Sequence, residues 1–147
     1  MQWDFPTPHI EQITVASSDI DEMGHTNNAC YVVWCEDCAW AHSRKLGLSV
    51  ADYRRLNRGV AIQHAEYHYE LPSFVDDPLE IATWLVHCDG KLRLERRFQI
   101  RHKESGKTIL RGHWRLICIN LESGKAARFP TDFIEIYGSA VVSEANA

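Results

Sequence analysis

Positive charge is missing from the first part of this 147-residue chain: no Lys or Arg precedes Arg44. A secretory leader needs a basic start ahead of its apolar stretch, so none is expected. Long hydrophobic runs are missing too. The longest, Ala29 to Cys35, is far too short to cross a bilayer, so no membrane insertion is expected and a cytoplasmic location is the default. Cysteines are few, irregularly spaced and odd in number (Cys30, Cys35, Cys38, Cys88, Cys118). A reducing compartment would keep them as free thiols, without a structural disulfide. Repeats, linkers and low-complexity segments are absent. What is present, 45% hydrophobic and 24% charged residues, is the composition of an ordinary globular chain, and residues 1–147 are expected to form one domain around one core.

Charge is lopsided. Residues 1–43 hold seven acids, Asp4, Glu11, Asp19, Asp21, Glu22, Glu36 and Asp37, while residues 91–115 hold nine Lys/Arg against Glu95 and Glu104. The basic segment suits either an anionic ligand or the solvated face of a sheet. Nucleic acid is not an expected partner, because these charges alternate with core residues and form no basic helix with interleaved aromatics.

Hydrophobic spacing sets the order of elements. A strand around Ile10 to Val15 ends at Ser17-Ser18-Asp19, and a polar loop runs from Asp19 to Asn27. One helix then spans Asn28 to Gly47, with Asn27 or Asn28 as cap, Arg44 and Lys45 on its negative end and Gly47 just past it. Its first three turns are apolar nearly all round, which predicts a helix enclosed by other structure. A short helix follows from Ser49, with Asp52 completing a capping box. From residue 60 the period is two: strands are expected over 60–71, Leu79 to Cys88, Leu92 to Arg101 and Ile109 to Asn120, and a last one over Phe133 to Tyr137. In the third of these, Leu92, Leu94, Phe98 and Ile100 are read as the buried face and Arg93, Glu95, Arg97, Gln99 and Arg101 as the wet one. The class is α+β, an antiparallel sheet of five to six strands wrapped around one long buried helix.

Chemistry concentrates in Asp19-Ile20-Asp21-Glu22-Met23-Gly24-His25-Thr26-Asn27-Asn28-Ala29-Cys30-Tyr31. Carboxylates, an imidazole and amides stand immediately before the start of the buried helix, where unpaired N–H groups and positive partial charge suit an oxyanion. A carboxylate there can attack an electrophilic carbonyl or draw a proton from water, and Gly24 permits a tight turn or close substrate approach. The same composition also serves a plain helix cap and loop. No Gly-x-Ser-x-Gly elbow occurs to supply a serine nucleophile.

This loop resembles the active-site motif of the hotdog thioesterases, the 4-hydroxybenzoyl-CoA thioesterase-like and acyl-CoA or acyl-ACP thioesterase family, through Asp19, Asp21, Gly24, His25, Asn27, Asn28 and Tyr31. Weaker similarity continues through Trp34, Glu36-Asp37, Tyr69-x-x-Pro72, Asp77-Pro78-Leu79 and Pro130. The resemblance implies a single hotdog domain that hydrolyses an acyl thioester. Asp21 would be nucleophile or general base, and Tyr31 N–H would polarise the carbonyl. His25 and Asn28 would orient substrate or Asp21. Plant acyl-ACP members carry an Asp-x-Asn-x-His constellation, and Met23 stands where that Asn would.

Other readings compete. Cys35 and Cys38 imitate a redox pair but fall two turns inside the helix, and they have no second pair with which to bind zinc. His64 and His68 share a strand face about 13 Å apart, too far for one ion. Glu36, on the helix, is the rival carboxylate. A hotdog dehydratase acting on hydroxyacyl thioesters, and a non-catalytic acyl-thioester binder, are the alternative functions. No metal or redox cofactor is expected. The partners are an acyl-CoA or acyl-carrier-protein thioester and further copies of the chain, since open sheet edges favour a homodimer or homotetramer. Gly24 is assigned to the substrate, and Arg93, Arg97, Arg111 and Arg128 to its phosphates, with Arg101, Arg115 and Lys125 widening the basic field.

Overall fold

The structure, a computed structural model, describes residues 3–143; residues 1–2 and 144–147, the ends of the expected domain, lie outside the described residues. In chain order come β1 (His9–Thr14), a 3-10 turn (Ser17–Asp19), α1 (Asn28–Leu46), α2 (Val50–Leu56), β2 (Arg58–Tyr69), β3 (Pro78–Cys88), β4 (Arg93–His102), β5 (Thr108–Asn120) and α3 (Thr131–Ala140). The helix ends have local causes. Asn27 caps α1 by accepting from Ala29 N–H at 2.9 Å, and Gly47 ends it at φ +110°, a left-handed conformation that glycine adopts with little strain. Ser49 and Asp52 close the capping box of α2.

All five strands pair antiparallel in the order β1-β3-β4-β5-β2, giving the α+β hotdog sheet against which α1 packs. Residues directly opposite in such a ladder share a face. Ile81, Ile100 and Leu110 therefore form one inward row, Thr83, Phe98 and Gly112 the next, and Leu85, Arg96 and Trp114 a third. Tyr31, Trp34, Cys35, Cys38 and Ala39 of α1 join Leu79, Ile81, Leu85, Phe98, Ile100 and Leu110 in one core cluster.

Three expectations need correction. The segment Phe133 to Tyr137 is helix, not strand. Five residues fit either period, but Phe133 and Tyr137, four apart, are both buried while Ile134 and Glu135 face out, which is helical spacing. Second, the outer face of the sheet is not uniformly wet. Residues 3–5 lie across it: Trp3 and Phe5 meet the Trp84 ring at 6.1 and 5.3 Å between centroids, and Asp4 N–H donates to Gln99 Oε1 at 2.9 Å, so Gln99 and Trp84 are both 1% exposed. Third, α1 is not enclosed. Its sheet-facing side is buried, but Val33 is 53% exposed, and Glu36 and Asp37 face solvent. Arg96 falls in phase with Leu94 and Phe98 and is only 4% exposed.

Burying that guanidinium shapes its surroundings. Arg96 Nη1 donates to His42 Nδ1 at 2.9 Å and to Thr83 Oγ1 at 3.1 Å. His42 must be neutral to accept. Burial, reinforced by the Arg96, His9 and Lys45 charges, pushes it down from 6.5 to about 3. On unfolding, His42 takes up a proton below pH 6.5 that the folded chain refuses until about pH 3. Its contribution to stability is therefore present above pH 6.5 and lost as pH falls towards 3. His42→Asn keeps an acceptor near the Nδ1 position and does not titrate. The urea midpoint should fall less steeply between pH 6.5 and 4 in this variant than in the wild type, and equal slopes would remove His42 as the cause.

Candidate active site

Ahead of α1 the chain folds back on itself. Ile20 and Thr26 form an isolated antiparallel bridge. Asp21 N–H donates to the His25 carbonyl at 2.8 Å, and Gly24 N–H donates to the Asp21 carbonyl at 3.1 Å. Gly24 turns the corner at φ +81°, where a side chain would be strained. The Asp21 carboxylate is held within this turn: Oδ1 accepts from Met23 N–H at 2.9 Å and from His25 N–H at 3.2 Å. Oδ2 accepts from nothing among the described residues. One oxygen is fixed by the backbone and the other is left to act, which suits a base or nucleophile of set orientation.

The loop is anchored from the β2–β3 connection. Thr26 N–H donates to the Ser73 carbonyl at 2.9 Å, Thr26 Oγ1 lies 2.7 Å from Ser73 Oγ, and Tyr31 Oη lies 2.6 Å from the same Ser73 Oγ. Loop, first helical turn and connection thus meet at one fully buried serine. Thr26 Oγ1 gives its proton to the Ser73 carbonyl at 3.1 Å and receives from Ser73 Oγ, which in turn receives from Tyr31 Oη, so the loss of any one leaves a buried partner short, at about 1–3 kcal/mol. Ser73 is absent from the expected site because a lone serine carries no pattern. Its only signal is its place just after Pro72. The His25 ring packs edge-on against Phe74, 5.3 Å between centroids.

The helix start is tightened. Cys30 N–H takes the Asn27 carbonyl at 2.9 Å, whereas in α2 the equivalent Ser49 carbonyl is taken one residue later, by Tyr53 N–H at 3.1 Å. Tyr31 N–H follows directly, in the turn where helical N–H groups carry positive partial charge. Asn28, the first residue of α1, is exposed. Asp21, Gly24, His25, Asn28 and Tyr31 are therefore gathered at one end of α1.

The expected phosphate ligands are not gathered there. Arg93, Arg97 and Arg111 project from the sheet face opposite α1, since they alternate with the inward Leu94, Phe98 and Leu110. Arg111 is occupied: it donates to both Asp4 oxygens at 2.6 and 3.1 Å and to both Glu70 oxygens at 2.9 and 2.7 Å. Arg101 pairs with Glu80 at 2.9 Å and lies over the Trp3 ring at 3.8 Å. Arg93, Arg97 and Arg128 stay exposed, as do Arg115 and Lys125.

The rival residues lie apart from the loop. Cys35 and Cys38 are buried in α1; burial raises the Cys35 thiol and pushes Cys38 up to about 12, the opposite of a reactive thiolate. His64 and His68 are exposed and flank Glu66 at 3.3 and 3.4 Å. Among the described residues, no three His, Cys, Asp or Glu side chains group as a metal site, and no helix is long and apolar enough to cross a membrane. Glu36 lies at the rim of a pocket of about 120 Å³ between α1 and the sheet, which Arg96 also lines.

A five-stranded antiparallel sheet thus packs on one long helix, and a carboxylate-bearing turn leads into that helix. The sequence matches the Thioesterase-like superfamily over residues 15–136, and the chain belongs to that superfamily. Among solved structures it is similar to a DHNA-CoA thioesterase from Staphylococcus aureus, 24% identical, with 90% of this chain and 89% of that one covered at a TM-score of 0.81. It is also similar to a 1,4-dihydroxy-2-naphthoyl-CoA thioesterase from Synechocystis, 18% identical over 92% and 96% of the two chains, TM-score 0.78. A hypothetical protein from Staphylococcus aureus, solved in complex with CoA, matches at 18% identity over 97% and 91%, TM-score 0.82. No curated protein sequence matches the chain.

Proposed function

We propose that the protein hydrolyses an acyl-CoA thioester to free acid and CoA, with Asp21 as the working carboxylate. The observation that carries this reading is the Asp21 turn itself, in the loop that leads into α1, with Oδ1 held by two backbone N–H groups and Oδ2 taken by no donor among the described residues. Acting as general base, Oδ2 takes a proton from water as the water oxygen attacks the thioester carbon. Charge then develops on the carbonyl oxygen, where Tyr31 N–H and the positive end of α1 stabilise it. Collapse of the tetrahedral intermediate breaks the C–S bond, and the thiolate leaves and takes up a proton. Acting as nucleophile, Oδ2 would attack the thioester carbon and expel the thiolate, and water would then cleave the resulting anhydride to the free acid and the Asp21 carboxylate. Either route suits a thioester, whose carbonyl gains little resonance from sulfur and whose thiolate leaves readily. His25, pinned through its backbone to Asp21, and Asn28 at the helix start are assigned to orienting substrate. Gly24 leaves the turn open, and a Cβ placed there would meet nothing within 4 Å.

For the nucleotide end of CoA the assignment narrows to Arg93, Arg97 and Arg128, because Arg111 is already held by two carboxylates. The likeness to a structure solved with CoA supports CoA as the thiol. A second copy of the chain completes the assembly in this reading. Among the described residues β1 and β2 each leave one edge unpaired, and β2 exposes Ile62 and Tyr69 just before a connection that exposes Leu71, Phe74 and Val75. Apolar side chains along an open edge are what pairing between protomers covers.

Three outcomes test this reading. Asp21→Asn keeps the shape and removes the charge, so thiol release from acyl-CoA should fall by about 10²–10⁴-fold while the circular dichroism spectrum is unchanged; normal turnover would sink the assignment. Raising salt from 50 to 500 mM should raise KM for acyl-CoA far more than for a short thioester without the nucleotide, and equal sensitivity would leave the three arginines as solvated surface. Sedimentation at assay concentration should show a dimer or a tetramer, and an active monomer would refute the shared edge.

A further inference from the structure

Arg96 is a buried cation without an anion. It stands on the inward face of β4 at 4% exposure, and no carboxylate among the described residues reaches it within ion-pair distance. Nη1 donates to His42 and Thr83, both neutral acceptors. Nε and Nη2 donate to nothing among the described residues. Neither atom is sealed in, since the fully buried polar atoms without a partner among the described residues are His9 Nδ1 and Trp84 Nε1. The free edge of the guanidinium therefore opens on space, and the space it lines is the pocket of about 120 Å³ between α1 and the sheet.

Three features of the pocket define what fits it. The first is the open edge: Nε–H and Nη2–H point the same way from a planar group, the fork that holds a carboxylate by two parallel hydrogen bonds. The phenols on the wall do not compete as donors. Ser43 Oγ spends its proton on the Leu48 carbonyl at 2.7 Å, so Tyr137 gives its own to Ser43 at 2.6 Å and Tyr53 gives its own to Tyr137. The second is size and lining: room for about four waters at roughly 30 Å³ each, walled by Ala39, Trp40, Trp114 and Leu116, suits a short hydrocarbon tail. The third is Glu36, exposed at the rim, which repels a second negative charge and so favours a monoanion.

The pocket is separate from the catalytic turn. His42, which Arg96 holds, stands about 16 Å along α1 from Tyr31 at roughly 1.5 Å per residue, and no residue of the Asp21 turn lines the pocket. We propose that it is a binding site for a free short-chain monocarboxylate, held by the open edge of Arg96 and distinct from the proposed thioester site.

Butanoate and its neutral counterpart butanamide test this on the full chain near neutral pH. Butanoate should raise the Tm of the wild type by a few degrees at a concentration where butanamide leaves it unmoved, and the dianion succinate should do less than butanoate. In Arg96→Met the butanoate shift should vanish. Glu36→Gln changes an exposed side chain and should tighten butanoate binding severalfold by calorimetry, an arm that does not require Arg96→Met to fold. Equal shifts from butanoate and butanamide in the wild type, or none from either, overturn the proposal. So does an undiminished butanoate shift in a folded Arg96→Met, or weaker butanoate binding by Glu36→Gln. Separateness is read in a thiol-release assay: KM for acyl-CoA should respond to butanoate alike in the wild type and in Arg96→Met, and a rise confined to the wild type would make Arg96 part of the thioester site. The binding arms need no catalysis, so they decide the proposal whether or not acyl-CoA is cleaved.

Discussion

The hydroxyl of Ser73 ties the working parts together. Three segments distant in sequence, the Asp21 turn, the first turn of α1 and the β2–β3 connection, meet at it through Thr26 and Tyr31. Each of these groups is buried, so water does not substitute for a lost partner and the arrangement holds as a unit. Because Thr26 also bridges to Ile20, fixing Thr26 fixes the base of the turn that carries Asp21. The catalytic reading depends on that rigidity: a carboxylate on a loose loop would not hold one orientation.

Much of this was legible in the residues, for reasons that differ by element. The ends of α1 and α2 follow from Asn27, Gly47, Ser49 and Asp52, whose side chains or conformations act within a few residues of themselves. Strands β2 to β5 follow from alternation, which is equally local. Helix α3 is not legible in the residues because five of them hold too little of either period, and its Phe133 and Tyr137 are placed by contact with Tyr53 and Ser43, far away in sequence. The turn at Asp21 and Gly24 could be expected from the motif. The anchor that holds it could not, since Ser73 becomes informative only when β2 and β3 bring it under Thr26.

Arg96 marks a different limit. Its spacing from Leu94 and Phe98 placed it inward, yet a charge in a basic stretch reads most simply as surface. Desolvating a guanidinium costs on the order of several kcal/mol, and its two hydrogen bonds, at about 1.5–3 kcal/mol each for a charged donor, return much of that. The partners that make the burial tolerable, His42 and Thr83, come from α1 and β3, so the inward Arg shows only once the fold is known.

The strap formed by residues 3–5 carries its own optical reporter. Trp3 rests between the Arg101 guanidinium and the edge of Trp84, so the indole is partly shielded from solvent while the strap lies flat. Lifting the strap would move Trp3 into water and uncover Trp84 in the same step, and both changes shift indole emission to longer wavelength. The outer face of the sheet can thus be followed by intrinsic fluorescence, without a label and without disturbing the loop on the far side of the molecule.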